Sequence, residues 1–204
     1  GCPQGCRLQF TVDDDVAAAG GYNASVFAAE VSDLTLFVFS SDGTYVGQYS
    51  EQGDALKQSD YTMDIPVAPG HYKMVAWTGL EDSHYSVSGL QEGVSKLKDL
   101  EVLLDRDSEN RQNDYLHPLW HGMLENVEIK KDVYSRYTMN MSKANNGFVL
   151  VLQDMKGGSI KGDTFTYEIV SANGRMAHDF SLVDDDKISY GAYFVESADL
   201  SDYD

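Results

Sequence analysis

Two histidines four residues apart, His117 and His121 in HPLWH, come nearest to a chemical site in this chain. On a helix, and in a strand as well, such a pair shares one face and can begin a metal site. Pro118 opposes a helix through the pair, no acid stands between the histidines as in HExxH, and no third or fourth ligand lies nearby. The preferred reading is therefore a strand end with Trp120 packed inward, and no metal ligand is assigned. Two acidic triplets, Asp13-Asp14-Asp15 and Asp184-Asp185-Asp186, offer oxygens to calcium, which takes about six to eight. Neither triplet has EF-hand spacing, and solvated loop charge accounts for both. Cys2 and Cys6, in CPQGC, leave several readings open: a small disulfide in an oxidising compartment, half of a metal site, or two reduced thiols at a frayed end. The spacing is one residue too long for a thioredoxin-type CxxC. There is no GxSxG nucleophile elbow and no GxxxxGK[ST] phosphate loop. With 33 acidic residues, carboxylate pairs for glycoside hydrolysis always exist, but nothing singles one out. No catalytic or cofactor-binding residue is assigned. Asn23-Ala24-Ser25 and Asn140-Met141-Ser142 fit the short glycosylation sequon.

The elements that would carry these residues are strands. Residues 61–80, YTMDIPVAPGHYKMVAWTGL, read as strand, turn, strand. Tyr61, Met63 and Ile65 alternate with polar neighbours, Pro66 and Pro69-Gly70 interrupt, and Tyr72, Met74 and Ala76 resume the alternation. A hairpin packed in a two-sheet sandwich is the expected outcome, with Trp77 as a core anchor. Residues 7–12 (RLQFTV) give a first strand, and 34–39 (LTLFVF) a strongly apolar one. Ser40-Ser41-Asp42-Gly43 is a hairpin signal leading to a returning strand over 44–49. Weak helical character over 25–34, a polar loop over 51–60 and a Ser/Gly-rich excursion over 81–96 fill the intervals. Leu97, Leu100, Val102 and Leu104 mark a further strand, with or without a short helix before it, and 105–114 reads as an exposed loop. Val133, Ser135, Tyr137, Met139 and Met141 fall on one face of another strand. Later strands are expected over 147–155, 164–174 and 188–195. No long 3.6-residue apolar period occurs, and turns recur every ~8–12 residues, which argues for β-sandwiches.

The chain has 204 residues and a hydrophobic fraction of 42%, enough for one large domain or two ordinary ones. The formal net charge of −18 repels phosphate backbones and anionic lipid, so no nucleic-acid partner is expected. No apolar run approaches the ~20 residues of a membrane helix, and no signal peptide is evident. A cytosolic protein, or one whose targeting segment has been removed, fits those observations.

CPQGCRLQFTV, LTLFVFSSDGTYVGQY, MDIPVAPGHYKMVAWTGL and Leu119-Trp120-His121-Gly122, in that order, resemble the fimbrial anchor and minor-component lipoproteins of the Bacteroidales, the family that contains FimB and Mfa2. The likeness is densest over residues 2–125. It implies two tandem β-sandwich domains of transthyretin-like or immunoglobulin-like Greek-key type. The domains are expected at 1–126 and 127–204, the second short of strands for a complete sandwich. It also implies a non-enzymatic cell-surface subunit, without cofactors, that tethers or caps a fimbrial shaft by β-strand addition and supports adhesion and biofilm formation. The implied partners are fimbrial shaft or accessory subunits and the outer membrane, reached through a lipid. The acylated cysteine is expected upstream of Gly1, with Cys2 a weaker candidate; Cys2 and Cys6 are the disulfide candidates. A surface module of the same build that binds glycan or host protein is the alternative, and clustered exposed members of the 13 tyrosines would favour it.

Overall fold

The structure, a computed structural model, describes residues 4–13, 31–58, 60–81, 84–105, 111–112, 119–143, 168–171, 175–178 and 188–191. These residues are all-β, apart from two short 3-10 turns at Gly53–Lys57 and Leu97–Asp99. The strands are β1 (Gly5–Asp13), β2 (Asp33–Ser40), β3 (Tyr45–Gln52), β4 (Thr62–Ile65), β5 (Gly70–Thr78), β6 (Tyr85–Val87) and β7 (Glu101–Leu104). They continue with β8 (Arg111–Gln112), β9 (Trp120–Ile129), β10 (Tyr134–Lys143), β11 (Glu168–Ser171), β12 (Arg175–Ala177) and β13 (Ile188–Gly191).

Seven strands form one sheet in the order β3-β2-β5-β9-β10-β1-β4. Its pairs are antiparallel except β1 with β10, which run parallel from Gly5 opposite Tyr134 to Asp13 opposite Ser142. One face of every strand supplies a common core. Leu8 and Phe10 of β1, Met63 and Ile65 of β4, Leu34 and Leu36 of β2, Met74 of β5 and Met139 of β10 all belong to it. Strands from both ends of the order therefore meet, and the sheet is curled into a barrel-like sandwich. Phe10 stacks on Tyr61, just before the neighbouring strand β4, with ring centroids 6.2 Å apart.

The opposite face of β2 and β5 is buried too. Phe37, Phe39, Val75 and Trp77 pack on Tyr85, Leu100, Val102 and Leu104. The last four lie on or beside β6 and β7, which form a second sheet in the order β12-β7-β6. Covering both faces of β2 and β5 accounts for their near-continuous apolar runs, since a one-sided strand would alternate. Asp33 fastens this layer. Its buried carboxylate accepts the Gly79 N–H at 2.9 Å and the Glu81 N–H at 3.4 Å, fixing the exit from β5 towards β6.

The strands of the 61–80 stretch lie where the alternation puts them, but they do not form the expected hairpin. β4 pairs with β1 at one end of the sheet, while β5 lies between β2 and β9. The prolines explain the difference. Pro66 and Pro69 have no N–H for a ladder, buried Val67 is drawn into the core, and the Tyr72 hydroxyl donates to the Ala68 carbonyl at 2.6 Å. The connection is thus an arch from one side of the curled sheet to the other. The Ser40–Gly43 turn does close a hairpin, with the Gly43 N–H bonded to the Ser40 carbonyl at 2.8 Å and Gly43 at φ 85. The polar 81–96 excursion contains β6, anchored by buried Tyr85. The expected division between residues 126 and 127 falls inside β9, and β10 beyond it bonds to both β9 and β1. Most of 144–204, including the strand expected over 147–155, lies outside the described residues.

Candidate functional site

Of the residues first suspected of chemistry, His121 and Cys6 are described, and both are buried in packing. His121 is buried at 8% exposure and sits edge-on to Trp77, with ring centroids 4.7 Å apart. Its Nε2 lies 2.8 Å from the His178 carbonyl oxygen, tying β9 to the residue after β12. His117 lies outside the described residues, as do Asp14, Asp15, Asp184, Asp185 and Asp186. Among the described residues no three His, Cys, Asp or Glu side chains gather to hold a metal. Cys6 is a free thiol on the inner face of β1, fully buried; Cys2 lies outside the described residues. Burial, helped by the Asp64 carboxylate, pushes the Cys6 thiol up to about 11. At neutral pH it is protonated, which suits packing rather than nucleophilic attack. Of the two sequon asparagines, Asn23 is outside the described residues, and Asn140 is exposed on β10.

Two other features of the described residues offer a partner groups to bind. The first is the border formed by β3. At its start, the Tyr45 N–H bonds the Ser95 carbonyl at 2.8 Å and the Gly93 N–H bonds the Tyr45 carbonyl at 2.9 Å, so a loop covers that end. Over 46–52 the sheet has no further strand among the described residues. This border is eight residues long as a strand, contains no proline or lysine, and carries one charge, Glu51. Val46, Gln48, Ser50 and Gln52 stand exposed along it. Edge strands are usually protected by lysine, proline or shortness, and β3 has none of these. The opposite border, β4, is only four residues long and is stopped by Pro66.

The second feature is the outer face of β4, β1 and β10. Register places Arg7 beside Asp64 on one side and Arg136 on the other, Gln9 between Thr62 and Thr138, and Thr11 beside Asn140. Every one of these side chains is polar, while the residues between them point into the core. Asp64 organises one corner. It accepts Nε of Arg7 at 2.8 Å and the Tyr134 hydroxyl at 2.6 Å, and the Arg7 guanidinium lies 5.7 Å from the Tyr134 ring centroid. The Arg7 and Tyr134 hydrogen bonds hold the Asp64 carboxyl below its ordinary value.

The overall build is seen in other proteins. A family model described as fimbrillin-A associated anchor proteins Mfa1 and Mfa2 matches residues 1–203. The chain belongs to the Mfa2 family. A candidate polysaccharide-binding protein from Bacteroides thetaiotaomicron superposes with a TM-score of 0.79 at 27% identity, over 98% of this chain and 68% of that one. A candidate adhesin from the same organism gives 0.77 at 31% identity, over 94% and 62% of the two chains. The fimbrial anchor protein Mfa2 of Porphyromonas gingivalis shares the fold, with a TM-score of 0.70 at 19% identity over 93% and 66%. The chain thus spans about two thirds of the length of these relatives. No curated protein matches it by sequence alone. Family membership thus relates the chain to fimbrial anchor proteins, and the similar solved structures include a candidate adhesin.

Proposed function

We propose that this chain is a non-enzymatic fimbrial anchor or accessory subunit that tethers or caps a shaft by taking an extended segment of a partner subunit along β3. The observation that supports this reading is the unprotected border over 46–52. Its outward N–H and C=O groups, which no described strand takes up, give a segment a ladder of hydrogen bonds, and alternate side chains give specificity. The lipid tether belongs to the same proposal: an acylated cysteine upstream of Gly1, or Cys2, holds the subunit at the outer membrane. Two domains are likewise proposed, with the division moved from 126–127, which falls inside β9, to a point beyond β10. The test is co-purification of the shaft subunit with the full-length protein. Lysines replacing Val46 and Ser50, both exposed, leave the core intact and place charges on the border. The double variant is expected to fold as the parent does and to lose the shaft subunit. Undiminished co-purification would remove β3 from the mechanism.

A further inference from the structure

We propose that the outer face of β4, β1 and β10 binds an acidic polysaccharide, a sugar chain bearing carboxylates. The electrostatic argument comes first. The chain carries a net charge of −18, yet among the described side chains this face sets two guanidiniums, Arg7 and Arg136, side by side in register against one carboxylate, Asp64. The Asp64 and Tyr134 contacts fix Arg7 in place. Arg136 is exposed and makes no hydrogen bond or ion pair among the described residues. An anion is therefore drawn to this face although the molecule as a whole repels it, and a guanidinium offers a planar fork that fits a carboxylate.

The character of the remaining side chains selects the kind of anion. Beside the arginines stand Gln9, Thr138 and Asn140, all exposed amides or hydroxyls on adjacent strands ~4.8 Å apart. They donate and accept hydrogen bonds, as sugar hydroxyls require. Among the described side chains the face has no aliphatic residue, and its aromatic, Tyr134, is already held by Asp64 and Arg7. A peptide or a lipid surface therefore finds little to bury here, whereas a polyhydroxylated chain finds partners throughout. The face is also prearranged: its side chains rise from paired strands, and the Thr11 hydroxyl is bonded to Asn140 Oδ1 at 3.2 Å. Ordering costs on binding are accordingly reduced.

The test is calorimetric titration of the purified chain with a galacturonate oligomer, its methyl-esterified counterpart and poly-glutamate. Saturable binding of the acid oligomer is expected, weakening as salt rises because exposed charges are screened. Arg136→Gln is expected to reduce affinity by about tenfold or more, corresponding to ~1.4 kcal/mol. The thermal midpoint should stay unchanged, since Arg136 holds no part of the fold among the described residues. Absence of binding, equal binding of the ester, equal binding of poly-glutamate, or an unaffected R136Q variant would each overturn the proposal. None of these results bears on shaft docking, because the side chains tested lie on β1 and β10 and none on β3.

Discussion

Replacing Gly122 by alanine probes the point where β10 joins the sheet. A Cβ there would lie 2.6 Å from Sδ of Met141, 2.8 Å from Cγ of Met139 and 2.8 Å from the Asn140 carbonyl oxygen. Comfortable separations between carbon atoms are about 3.5–4.0 Å, so all three approaches are too close. The methionine tails can swing aside. The carbonyl cannot, because it is backbone of β10, which is paired to β1 along its length and to β9 beside His121 and Trp120. Overpacking a core costs about 1–3 kcal/mol, and a backbone obstacle puts this case near ~2–3 kcal/mol. In a chain of this size each kcal/mol moves the thermal midpoint by about 2–4 °C, so a fall on the order of 5–10 °C is expected. Gly89 is the control: nothing lies within 4 Å of its Cβ position and its φ is not in the left-handed region, so Gly89→Ala should stay within about 0.5 kcal/mol of the parent. The assay is circular dichroism, followed through thermal and urea unfolding. If Gly122→Ala proves as innocuous as Gly89→Ala, β10 does not approach β9 as closely as described, and the closed sheet is wrong at that joint.

Trp77→Ala should cost about 3–5 kcal/mol, seen as a lower urea midpoint, because the indole is fully buried between the sheets. Asp33→Ala leaves the Gly79 N–H without its carboxylate and should cost about 1–3 kcal/mol by the same measurement. The pH dependence at Asp33 has a defined sign. Burial raises its carboxyl above the ordinary 3.8, against the lowering effect of the Glu81, Gly79 and Leu80 N–H groups. Its contribution is therefore fully present below that value and is lost as pH rises through the raised one. Relative to Asp33→Asn, the parent should lose stability across that window; a parallel pair of pH profiles would refute the assignment. Cys6 should resist a thiol reagent at pH 8 in the native protein and react at once in denaturant, as mass spectrometry can show, since its thiol is buried and pushed up to about 11. Rapid native labelling would mean that β1 opens readily.

The period-2 pattern located β1, β4, β5 and β10, each with a face buried against a continuous core; a nearly unbroken apolar run marked β2, and the turn after it marked β3. It could not pair them. Alternation records which face of a strand is dry, and that record is the same whether the neighbour is the next strand in sequence or one from far along the chain. The arch after Ile65 and the parallel union of β1 with β10 were both hidden for this reason. β6 was missed because only Tyr85 of its three residues is buried, and one aromatic among serines is no pattern. The double burial of β2 was visible in LTLFVF, but not the identity of the covering layer, which comes from strands more than forty residues later.

The motif Leu119-Trp120-His121-Gly122 shows where a chemical reading of sequence yields to a steric one. Its histidine invites a metal, but each of the four residues has a packing reason to be present. Leu119 fills the core behind β5, and Trp120 fills the core within the curled sheet, on the other face. The Trp120 N–H bonds the Thr78 hydroxyl oxygen at 3.0 Å. His121 lies against Trp77 and reaches the His178 carbonyl, and Gly122 admits β10. A four-residue run that meets two cores, a second strand and a distant segment tolerates few replacements on volume alone. Such runs are distinctive in sequence without being reactive. The border of β3 is the opposite case: YVGQYSEQ has no distinctive residue, and its availability follows from which strand β2 takes on its other side. Backbone hydrogen bonds left open by topology have no signature in residue type. The surfaces on which this protein's proposed work depends therefore became visible only when the order of the strands was known.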